Sequence, residues 1–493
     1  MELIAGLINV FEPLYLFYCF AGVLLGTLVG VLPGLGPAST LAILLPVTLY
    51  MDATGSIIML AGLYYGAAYG GSTTSILANI PGEVSSVPTT FDGYAMTRKG
   101  RAGEALWISV IGSFIAGTIG VVVISIAGPE VAKLALRFGP PEYFALILFS
   151  LIAMVTLSST SVSKSVAAVA LGLVLSAAGI DPMTGVTRFS FGSIDMMRGF
   201  DIVPVVVGLF GIGEVFTNAG AGLVRIYEGK LGPMVPKGKE MRRGLMGCLR
   251  GTLLGLPLGL LPGMVPAVGS FLAYDLEKRV SKHPEEFGHG AIEGVAAPEA
   301  ANNAVATTNF LPLLALGIPT VPALAIIMAA LMMYGITPGP MLFVTNKEFA
   351  WTVIASMYVG NVLLLILNLP LVGLWARLSQ IPYKYVGPVV LGICVIGAYS
   401  TRNTLFDVWV ALGAGVIGYL MRRFHWPLAP VVVGFILGPM LEFALRQSMS
   451  IGGVEILLSR PIALVFYGLA VVAIAVTVVA RRRAPETVRK LTA

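Results

Sequence analysis

Residues 70–83, GGSTTSILANIPGE, place a run of hydroxyl side chains, an amide and a Pro-Gly pair at the end of an apolar stretch that begins near Gly55. Hydrocarbon strongly penalises unsatisfied polar groups, so polar side chains at membrane depth need partners. Hydroxyls and amides are neutral donors and acceptors, and they can bind an anion or a hard cation without the cost of a buried charge. The segment therefore predicts half of a binding site for a small charged solute.

A second polar segment, PEAANNAVATTNFLPLLALGIPTVP at 298–322, has the same character. Its TTNFL at 307–311 resembles TTSIL at 73–77, whereas Ile318-Pro319 echoes Ile80-Pro81 at a different offset. Ser, Thr and Asn often only bond across membrane helices, and that role would explain either segment alone. Two such segments in corresponding halves of the chain favour a site between them. There, broken helices free backbone N–H groups for anions and carbonyls for cations.

We expect the two segments to face each other near the bilayer midplane, with the N–H groups of Gly70-Gly71 and Gly34-Leu35-Gly36 donating to an anion. A coupling Na⁺ or H⁺ would offset the remaining charge, and no other metal or cofactor is expected. The candidate substrate- and ion-binding residues are Gly34, Gly36, Gly70, Gly71, Ser72, Thr73, Thr74, Ser75, Asn79, Asn302, Asn303, Thr307, Thr308 and Asn309.

Several ionisable residues stand near these segments. Asp275 and Glu299 each lie beside an apolar or polar segment, where an intramembrane carboxylate is functional by default, although a loop position explains both equally well. Glu214, near the predicted inner end of a span, fits a proton relay or an interfacial position. His283 and His289 share the loop SKHPEEFGHG with two glutamates, and a solvated loop is favoured there over a metal site.

The elements that position these residues must be membrane helices. The chain has 493 residues, 57% hydrophobic and only 11% charged, whereas soluble domains are roughly 25% charged. We predict an all-α polytopic membrane protein with about 12–15 transmembrane or re-entrant segments. Its three cysteines are expected to be buried and unpaired. Examples of runs long enough to cross the bilayer are 14–32, 105–127, 142–157, 165–180, 202–220, 244–262, 350–370 and 461–480.

An internal repeat is visible in the glycines. Gly22, Gly26, Gly30 and Gly34 recur at one constant offset as Gly251, Gly255, Gly259 and Gly263, and both sets end in Leu-Pro-Gly. Small residues at this spacing let helices approach closely, but close packing does not explain why the ladder occurs twice.

Charge sets the direction of each copy. Basic clusters at 98–101, 221–243, 422–423 and 481–490 all fall in the cytoplasm if the N-terminus is outside, which accounts for the net charge of +6 without a nucleic-acid partner. The first ladder then enters from outside and the second from the cytoplasm. We therefore predict inverted-topology repeats over about 14–130 and 240–365.

The predicted organisation has four parts. They are a first membrane repeat with scaffold helices at 1–220, a cytoplasmic basic linker at 221–243, a second membrane repeat with scaffold helices at 244–480, and a cytoplasmic basic tail at 481–493.

Two long stretches carry a resemblance to a known family. Residues 30–106 and 271–304, with LGIPTVPALAIIMAALMMYGITPGP further on, closely resemble the large membrane subunit of the tripartite tricarboxylate transporters, the TctA family. The resemblance covers nearly the whole chain. It implies a bacterial inner-membrane permease that imports carboxylates such as citrate, driven by a sodium or proton gradient. It also implies two partners, a periplasmic solute-binding protein and a small membrane subunit of about four helices, and, by analogy of fold alone, re-entrant hairpins.

Other functions are weighed against this one. A carboxylate or anion channel and a stand-alone symporter stay open as alternatives, and gradient-independent conduction would distinguish the channel. The chain has no HExxH and no GxxxxGK[ST], so neither a metalloprotease nor an ATPase is predicted. A serine nucleophile at Ser72 would need a histidine in another span, and only His425 is near one. We therefore do not expect an enzyme.

Overall fold

The computed structural model describes residues 2–32, 35–157, 161–219, 231–371, 374–375 and 383–483. These residues are mostly α-helical, with one antiparallel hairpin of β1 (Gly179–Ile180) and β2 (Thr187–Arg188). The helices before residue 220 are α1 Glu2–Val10, α2 Pro13–Val31, α3 Pro37–Thr48, α4 Ala53–Ala78, α5 Val87–Arg98, α6 Ala102–Ala135, α7 Pro140–Leu157, α8 Val162–Ser176, α9 Ile194–Met197, α10 Ile202–Val206 and α11 Gly213–Asn218, with a 3₁₀ turn at Val84–Ser86 and a π-helical stretch at Val207–Ile212.

The second half also combines long and short helices. They are α12 Gly238–Leu258, α13 Pro266–Val280, α14 Glu293–Thr308, α15 Phe310–Leu316, α16 Pro322–Met333, α17 Leu342–Thr345, α18 Lys347–Asn368, α19 Tyr383–Arg402, α20 Leu405–Arg423, α21 Ala429–Gly452, α22 Glu455–Ser459 and α23 Pro461–Arg483, with a 3₁₀ turn at Pro284–Glu286.

Apolar helices of membrane-spanning length make up much of the fold. Among the described residues, seven helices are long and apolar enough to cross a membrane, and five shorter apolar helices accompany them. The predicted run 14–32 corresponds to α2, 142–157 to α7, and 461–480 to α23. The structure thus confirms an all-helical membrane protein.

Two predicted boundaries shift. The run 105–127 is only the middle of α6, which has 34 residues. The predicted linker at 221–243 overlaps α12, because this helix already begins at Gly238.

The two glycine ladders each close a pair of helices. A Cβ on Gly22, Gly26 or Gly30 would lie 2.2–2.4 Å from a backbone oxygen of α4, which no real contact permits. A Cβ on Gly251 or Gly255 would lie 2.2 or 2.7 Å from a backbone oxygen of α14. Glycine is therefore required for α2 to touch α4, and for α12 to touch α14 in the same way.

The contacts of the ladders define which residues of α4 and α14 correspond. Gly22 contacts Met59, and its repeat partner Gly251 contacts Ala297. In the same way Gly26 contacts Leu63, and Gly255 contacts Ala301. Met59 and Ala297 are therefore separated by the same number of residues as Leu63 and Ala301. The helix ends agree with this offset. Asn79 ends α4 and Gly317 ends α15, both in the left-handed conformation with φ of 56° and 73°.

This correspondence corrects the match made from the sequence. The Ile-Pro pairs at 80–81 and 318–319 are separated by the same offset as the helix ends and so are equivalent. The TTSIL and TTNFL match has a shorter offset, one helical turn out of register, and is fortuitous.

The helices α4 and α14 cross in opposite directions. Ser72 contacts Glu299, Ala68 contacts Asn302, and Tyr64 contacts Asn309, so residue numbers rise on one helix as they fall on the other. In contrast, α2 is parallel to α4, and α12 is parallel to α14. The first helix pair therefore lies antiparallel to the second.

Charged side chains gather at one end of this bundle. Arg101 pairs with Glu240 at 2.7 Å, Arg243 pairs with Glu293 at 2.7 Å, and Lys99 donates to the His289 carbonyl at 2.6 Å. We call this end, formed by residues 98–104, 231–243 and 286–293, the Arg243 face. It joins two of the basic segments that were predicted to share one side of the membrane.

Candidate substrate and ion site

The carboxyl group of Glu299 lies at the centre of the contact between α4, α5 and α14. Its side chain is 0% exposed. One carboxyl oxygen accepts a hydrogen bond from the Ser72 hydroxyl at 2.5 Å, and the other accepts from the Thr89 hydroxyl. The sequence left open whether Glu299 lies in a loop or inside the membrane. In the structure Glu299 is part of helix α14 and is buried.

A second carboxyl group lies beside the first. Glu83, in the loop after α4, is half-buried and accepts a hydrogen bond from the Ser85 hydroxyl. The Asn302 amide, one turn beyond Glu299 on α14, lies near the Glu83 carboxyl. The two carboxyl groups lie in the same neighbourhood, beside Gly71 and Ser72 of α4. Among the described residues, no Lys or Arg comes within 4.0 Å of either of them.

Asn302 leaves one atom without a partner. Its amide nitrogen donates to the Ala68 carbonyl at 3.4 Å, while its amide oxygen is buried and accepts no hydrogen bond. Buried polar atoms in proteins are nearly always bonded, so each exception points to a strained group or to a missing ligand. The residue that carries this oxygen stands one turn beyond Glu299 on α14 and near Glu83, so we count Asn302 as a member of the polar cluster around the two carboxyl groups.

Three further buried oxygens near the helix breaks also lack partners. They are the amide oxygens of Asn309 and Asn368 and the hydroxyl of Thr320. Asn309 follows α14, Thr320 lies in the loop between α15 and α16, and Asn368 ends α18 beside α2. Oxygens of this type are acceptors for a hard cation or for a bound hydroxyl donor.

The first polar segment is helical for most of its length. Gly70 and Gly71 lie inside the unbroken helix α4, so their N–H groups are used within the helix, and the expectation that they donate to an anion is wrong. The Ser75 hydroxyl lies 2.9 Å from both the Ser86 hydroxyl and the Gly71 carbonyl, and the Thr74 hydroxyl is 3.4 Å from that same carbonyl. The chain breaks at Asn79 rather than at the glycines.

The second polar segment lies elsewhere along the contact. In the antiparallel register, Thr73 to Asn79 continue past Glu299, whereas Asn309 lies opposite Tyr64. The structure therefore brings Ser72 to Glu299 and near Asn302, but it does not bring Thr73, Thr74 and Asn79 to Thr307, Thr308 and Asn309 as expected.

Residues 303 and 307 instead line a small polar cavity between α4, α6, α14 and α18. Its polar lining consists of Tyr65, Tyr69, Asn303, Thr307 and Asn361. Asn303 donates to Ser113 at 2.7 Å, and Tyr69 donates to Asn361 at 2.5 Å. Thr308 bonds back to its own helix at the Ala304 carbonyl. The bonds of Asn303 and Tyr69 join helices, as the simpler interpretation of the polar segments proposed.

The first helix break is only partly described. Gly34 lies outside the described residues, and Gly36 caps the start of α3 with open space beside it. The N–H groups of the first turn of a helix have no partner within the helix, so they suit an anion.

A buried aspartate that the sequence did not single out holds the approach to α14. Asp92 of α5 is fully buried and accepts from the backbone N–H groups of Gly288, Gly290 and Ala291 at 2.7–2.9 Å and from the Tyr274 hydroxyl at 2.9 Å. It therefore fixes α5, which carries Thr89, to the segment that leads into α14. The sequence signal that could have located this contact is the pair Gly288 and Gly290, because both adopt positive φ and mark a turn whose N–H groups need an acceptor.

The other ionisable candidates have partners outside this cluster. Glu214 pairs with Arg422 at 2.7 Å and accepts from Ser39, which favours an interhelical ion pair over a proton relay. Asp275 is 59% exposed and pairs with Arg279 on its own helix. His283, Glu285 and Glu286 have ligand atoms within 4.8 Å of one another, in a mostly exposed loop.

The fold and the buried cluster together define a polytopic helical membrane protein with a polar centre built from interrupted helices. The chain belongs to the tripartite tricarboxylate transporter TctA family, whose model matches residues 16–433. This confirms the resemblance.

Two relatives are known from Agrobacterium vitis. One, described as an uncharacterized 52.8 kDa protein in the TAR-I ttuC' 3'region, is 48% identical over 484 residues, which are 96% of each chain. Another, described as an uncharacterized protein in the TAR-II ttuC' 3'region, is 47% identical over 209 residues, 42% of this chain and 86% of its own. No solved structure matches this chain.

Proposed function

We propose that this chain is the permease subunit of a binding-protein-dependent secondary transporter that imports tricarboxylates or related carboxylates. It works in the bacterial inner membrane, coupled to a sodium or proton gradient, by alternating access at a site near the bilayer midplane. Its partners are a periplasmic solute-binding protein and a small membrane subunit of about four helices, as the family name implies.

The buried cluster around Glu299 is the observation that carries this proposal. Polar groups that only join helices satisfy one another, as Asn303 and Ser113 do. The cluster instead combines two carboxyl groups with an unbonded amide oxygen at Asn302. An incomplete polar centre inside a membrane bundle supports a site that exchanges ligands during transport.

The packing of the helices supports inverted repeats. The pairs α2–α4 and α12–α14 are built by the same glycine contacts, and α4 crosses α14 antiparallel. Repeats related by an axis in the membrane plane require both features, and carriers of this kind place their sites at the repeat interface.

The first turn of α3 is the proposed place for a substrate carboxylate. Gly36 caps the start of this helix and leaves open space beside it. The positive end of the helix dipole and the N–H groups there favour negative charge.

Reconstitution tests the proposal directly. The chain and its small membrane subunit are placed in proteoliposomes, and uptake of labelled carboxylate is followed with and without the binding protein under an imposed cation gradient. We expect saturable uptake that needs the gradient, and uptake at micromolar substrate that needs the binding protein. Equal uptake without the binding protein would favour a stand-alone symporter, and gradient-independent flux would favour a channel.

A further inference from the structure

We propose that the cluster around Glu299 is the binding site of the coupling cation and that this cation is Na⁺. Glu299 and Asn302 supply oxygens from α14, Ser72 and Thr89 supply hydroxyls from α4 and α5, and Glu83 closes the cluster from the loop after α4. This role rests on the proposed function, since a coupling ion has meaning only in a gradient-driven carrier.

The charge of the cluster requires a cationic occupant. Glu299 is fully buried, and its partners are two neutral hydroxyls. An ionised carboxylate without a counter-charge is costly to bury, and a second carboxyl group beside it raises the cost. A proton or a bound cation must therefore neutralise Glu299.

The oxygens of the cluster favour a metal cation over a proton. A proton on Glu299 would satisfy one oxygen and leave the amide oxygen of Asn302 without a partner. A hard cation is bound by carboxylate, amide and hydroxyl oxygens together, and the cluster contains all three of these groups. The absence of sulfur and imidazole from these five side chains argues against a transition metal.

The position of the cluster explains how an ion there would act. Ser72, Glu83 and Thr89 belong to the helix bundle formed by the first half of the chain, whereas Glu299 and Asn302 belong to the bundle formed by the second half. The antiparallel contact of α4 with α14 buries the Glu299 carboxyl between these bundles, and the half-buried Glu83 lies beside it. With the ion bound, the bundles can pack without an uncompensated charge. Without it, the contact is penalised.

The experiment compares wild type with Glu299→Gln, which keeps the size of the side chain but removes its charge. The thermal midpoint of the purified protein is measured in NaCl and in choline chloride, and uptake in proteoliposomes is measured against Na⁺ concentration. We expect Na⁺ to raise the midpoint of the wild type but not of the variant. The Na⁺ concentration for half-maximal uptake should rise roughly ten- to a hundredfold in the variant.

Two further variants keep the test decisive. Asp275→Asn removes an exposed carboxylate and should respond to Na⁺ like the wild type. Thr89→Val keeps the volume of the side chain and removes one proposed ligand, so it should weaken the Na⁺ response even if Glu299→Gln does not fold.

The outcomes separate this inference from the proposed function. A Na⁺ response in Glu299→Gln equal to that of the wild type would overturn the site. So would wild-type uptake that follows the pH gradient and ignores Na⁺. If Na⁺ binds as expected but uptake needs neither a gradient nor the binding protein, the proposed function fails and the cation site stands.

Discussion

Asn302 and Asn303 are neighbours in the sequence, yet their side chains enter different parts of the molecule. Asn303 bonds Ser113 of α6 and the main chain of Glu299, and so it joins two helices. Asn302 donates to the Ala68 carbonyl, lies near Glu83 and keeps an unbonded oxygen. The same residue type thus serves packing at one position and, in the site we propose, ligand binding at the next.

Substituting the two asparagines should separate these roles. Asn303→Ala leaves Ser113 without its buried partner, so the free energy of unfolding should fall by about 1–3 kcal/mol. Asn302→Ala removes an oxygen that has no partner to lose, so it should weaken Na⁺-dependent uptake with a smaller loss of stability. Thermal midpoints and uptake curves of both variants provide the comparison. Equal loss of stability with unchanged uptake would make Asn302 a packing residue too.

The sequence predicted the polar segments but not the distribution of roles within them. Ser72 and Asn302 were among the candidates because of their polarity and depth. Glu83 and Thr89 were missed as candidates because their part in the cluster depends on the turn at Val84–Ser86 and on where α5 packs. Hydroxyls such as those of Ser75 and Thr308 bond their own helix, a choice that a residue list cannot show.

At the scale of elements, the glycine ladders determine how closely the central helices pack. Gly30 of α2 lies against the backbone of α4 at Ala67 and Gly70. These contacts extend over about two turns of α2 and hold α4 close to it up to Gly70, next to Ser72 of the site. The sequence showed the spacing, and the structure shows which helix each ladder meets.

Gly30→Ala should therefore be strongly destabilising. The added Cβ would lie 2.2 Å from the Ala67 oxygen, and a backbone oxygen cannot move aside as a side chain does. We expect a loss of at least about 1–3 kcal/mol, seen as a lower thermal midpoint and less folded protein in the membrane. Gly468→Ala in α23, where the new Cβ meets nothing within 4 Å, is the matched control and should be neutral. A neutral Gly30→Ala would mean that the ladder contact is not tight.

The hairpin between α8 and α10 is held by a separate ionic cluster. Asp181 pairs with Arg188 and Arg446 at 2.5 and 2.8 Å. Hydrogen bonds from the Thr184 hydroxyl and the Met183 N–H, with further bonds from the two arginines, hold the pKa of Asp181 well below its usual range. A lowered carboxyl pKa stabilises the folded form at any pH above the ordinary value, and the benefit is lost as the pH falls through the folded pKa.

The hairpin should accordingly stay docked at neutral pH and loosen only well below pH ~4. Limited digestion by an acid protease, followed over a series of pH values, should show cleavage at residues 179–188 rising in that acidic range. Asp181→Asn should be cleaved there by a neutral protease at pH 7, where the wild type resists. Resistance of the variant at pH 7 would show that the ionic cluster does not hold the hairpin.

At the scale of the whole molecule, the antiparallel crossing of α4 and α14 predicts the sides of two loops. Residue 50 precedes α4, and residue 282 precedes α14, so the start of one helix lies at the opposite end of the bundle from the start of the other. With the N-terminus outside, as the basic clusters predict, residue 50 is extracytoplasmic and residue 282 is cytoplasmic.

Thiol labelling of intact cells tests this arrangement. The three native cysteines are fully buried, so an impermeant reagent should report only on introduced ones. Tyr50→Cys should be labelled from outside, and Lys282→Cys should be labelled only after the cells are opened. Labelling of both from the same side would rule out inverted repeats.

The sequence predicted the whole-molecule architecture better than the site. Hydropathy runs located most long helices because crossing a bilayer demands a minimum apolar length. The register between the halves needed three-dimensional contacts, because the TTSIL and TTNFL match is locally stronger than the true equivalence at the helix ends. The position of a residue in the bundle depends on which turn of one helix contacts which turn of its neighbour. A shift of one turn leaves the amino-acid composition of the segments unchanged, so the sequence does not reveal it.

The ion pairs of the Arg243 face affect how any salt titration of this protein is to be interpreted. Arg101 of the first half reaches Glu240 of the second, through side chains that are about one-third exposed. Mobile ions screen such pairs over about 10 Å at 0.1 M ionic strength. Added NaCl therefore weakens a contact between the halves while it fills the cation site that we propose. Uptake measured against Na⁺ concentration at constant total ionic strength separates these two effects. When NaCl is simply added, the NaCl concentration that gives maximal uptake is the one at which the two effects balance.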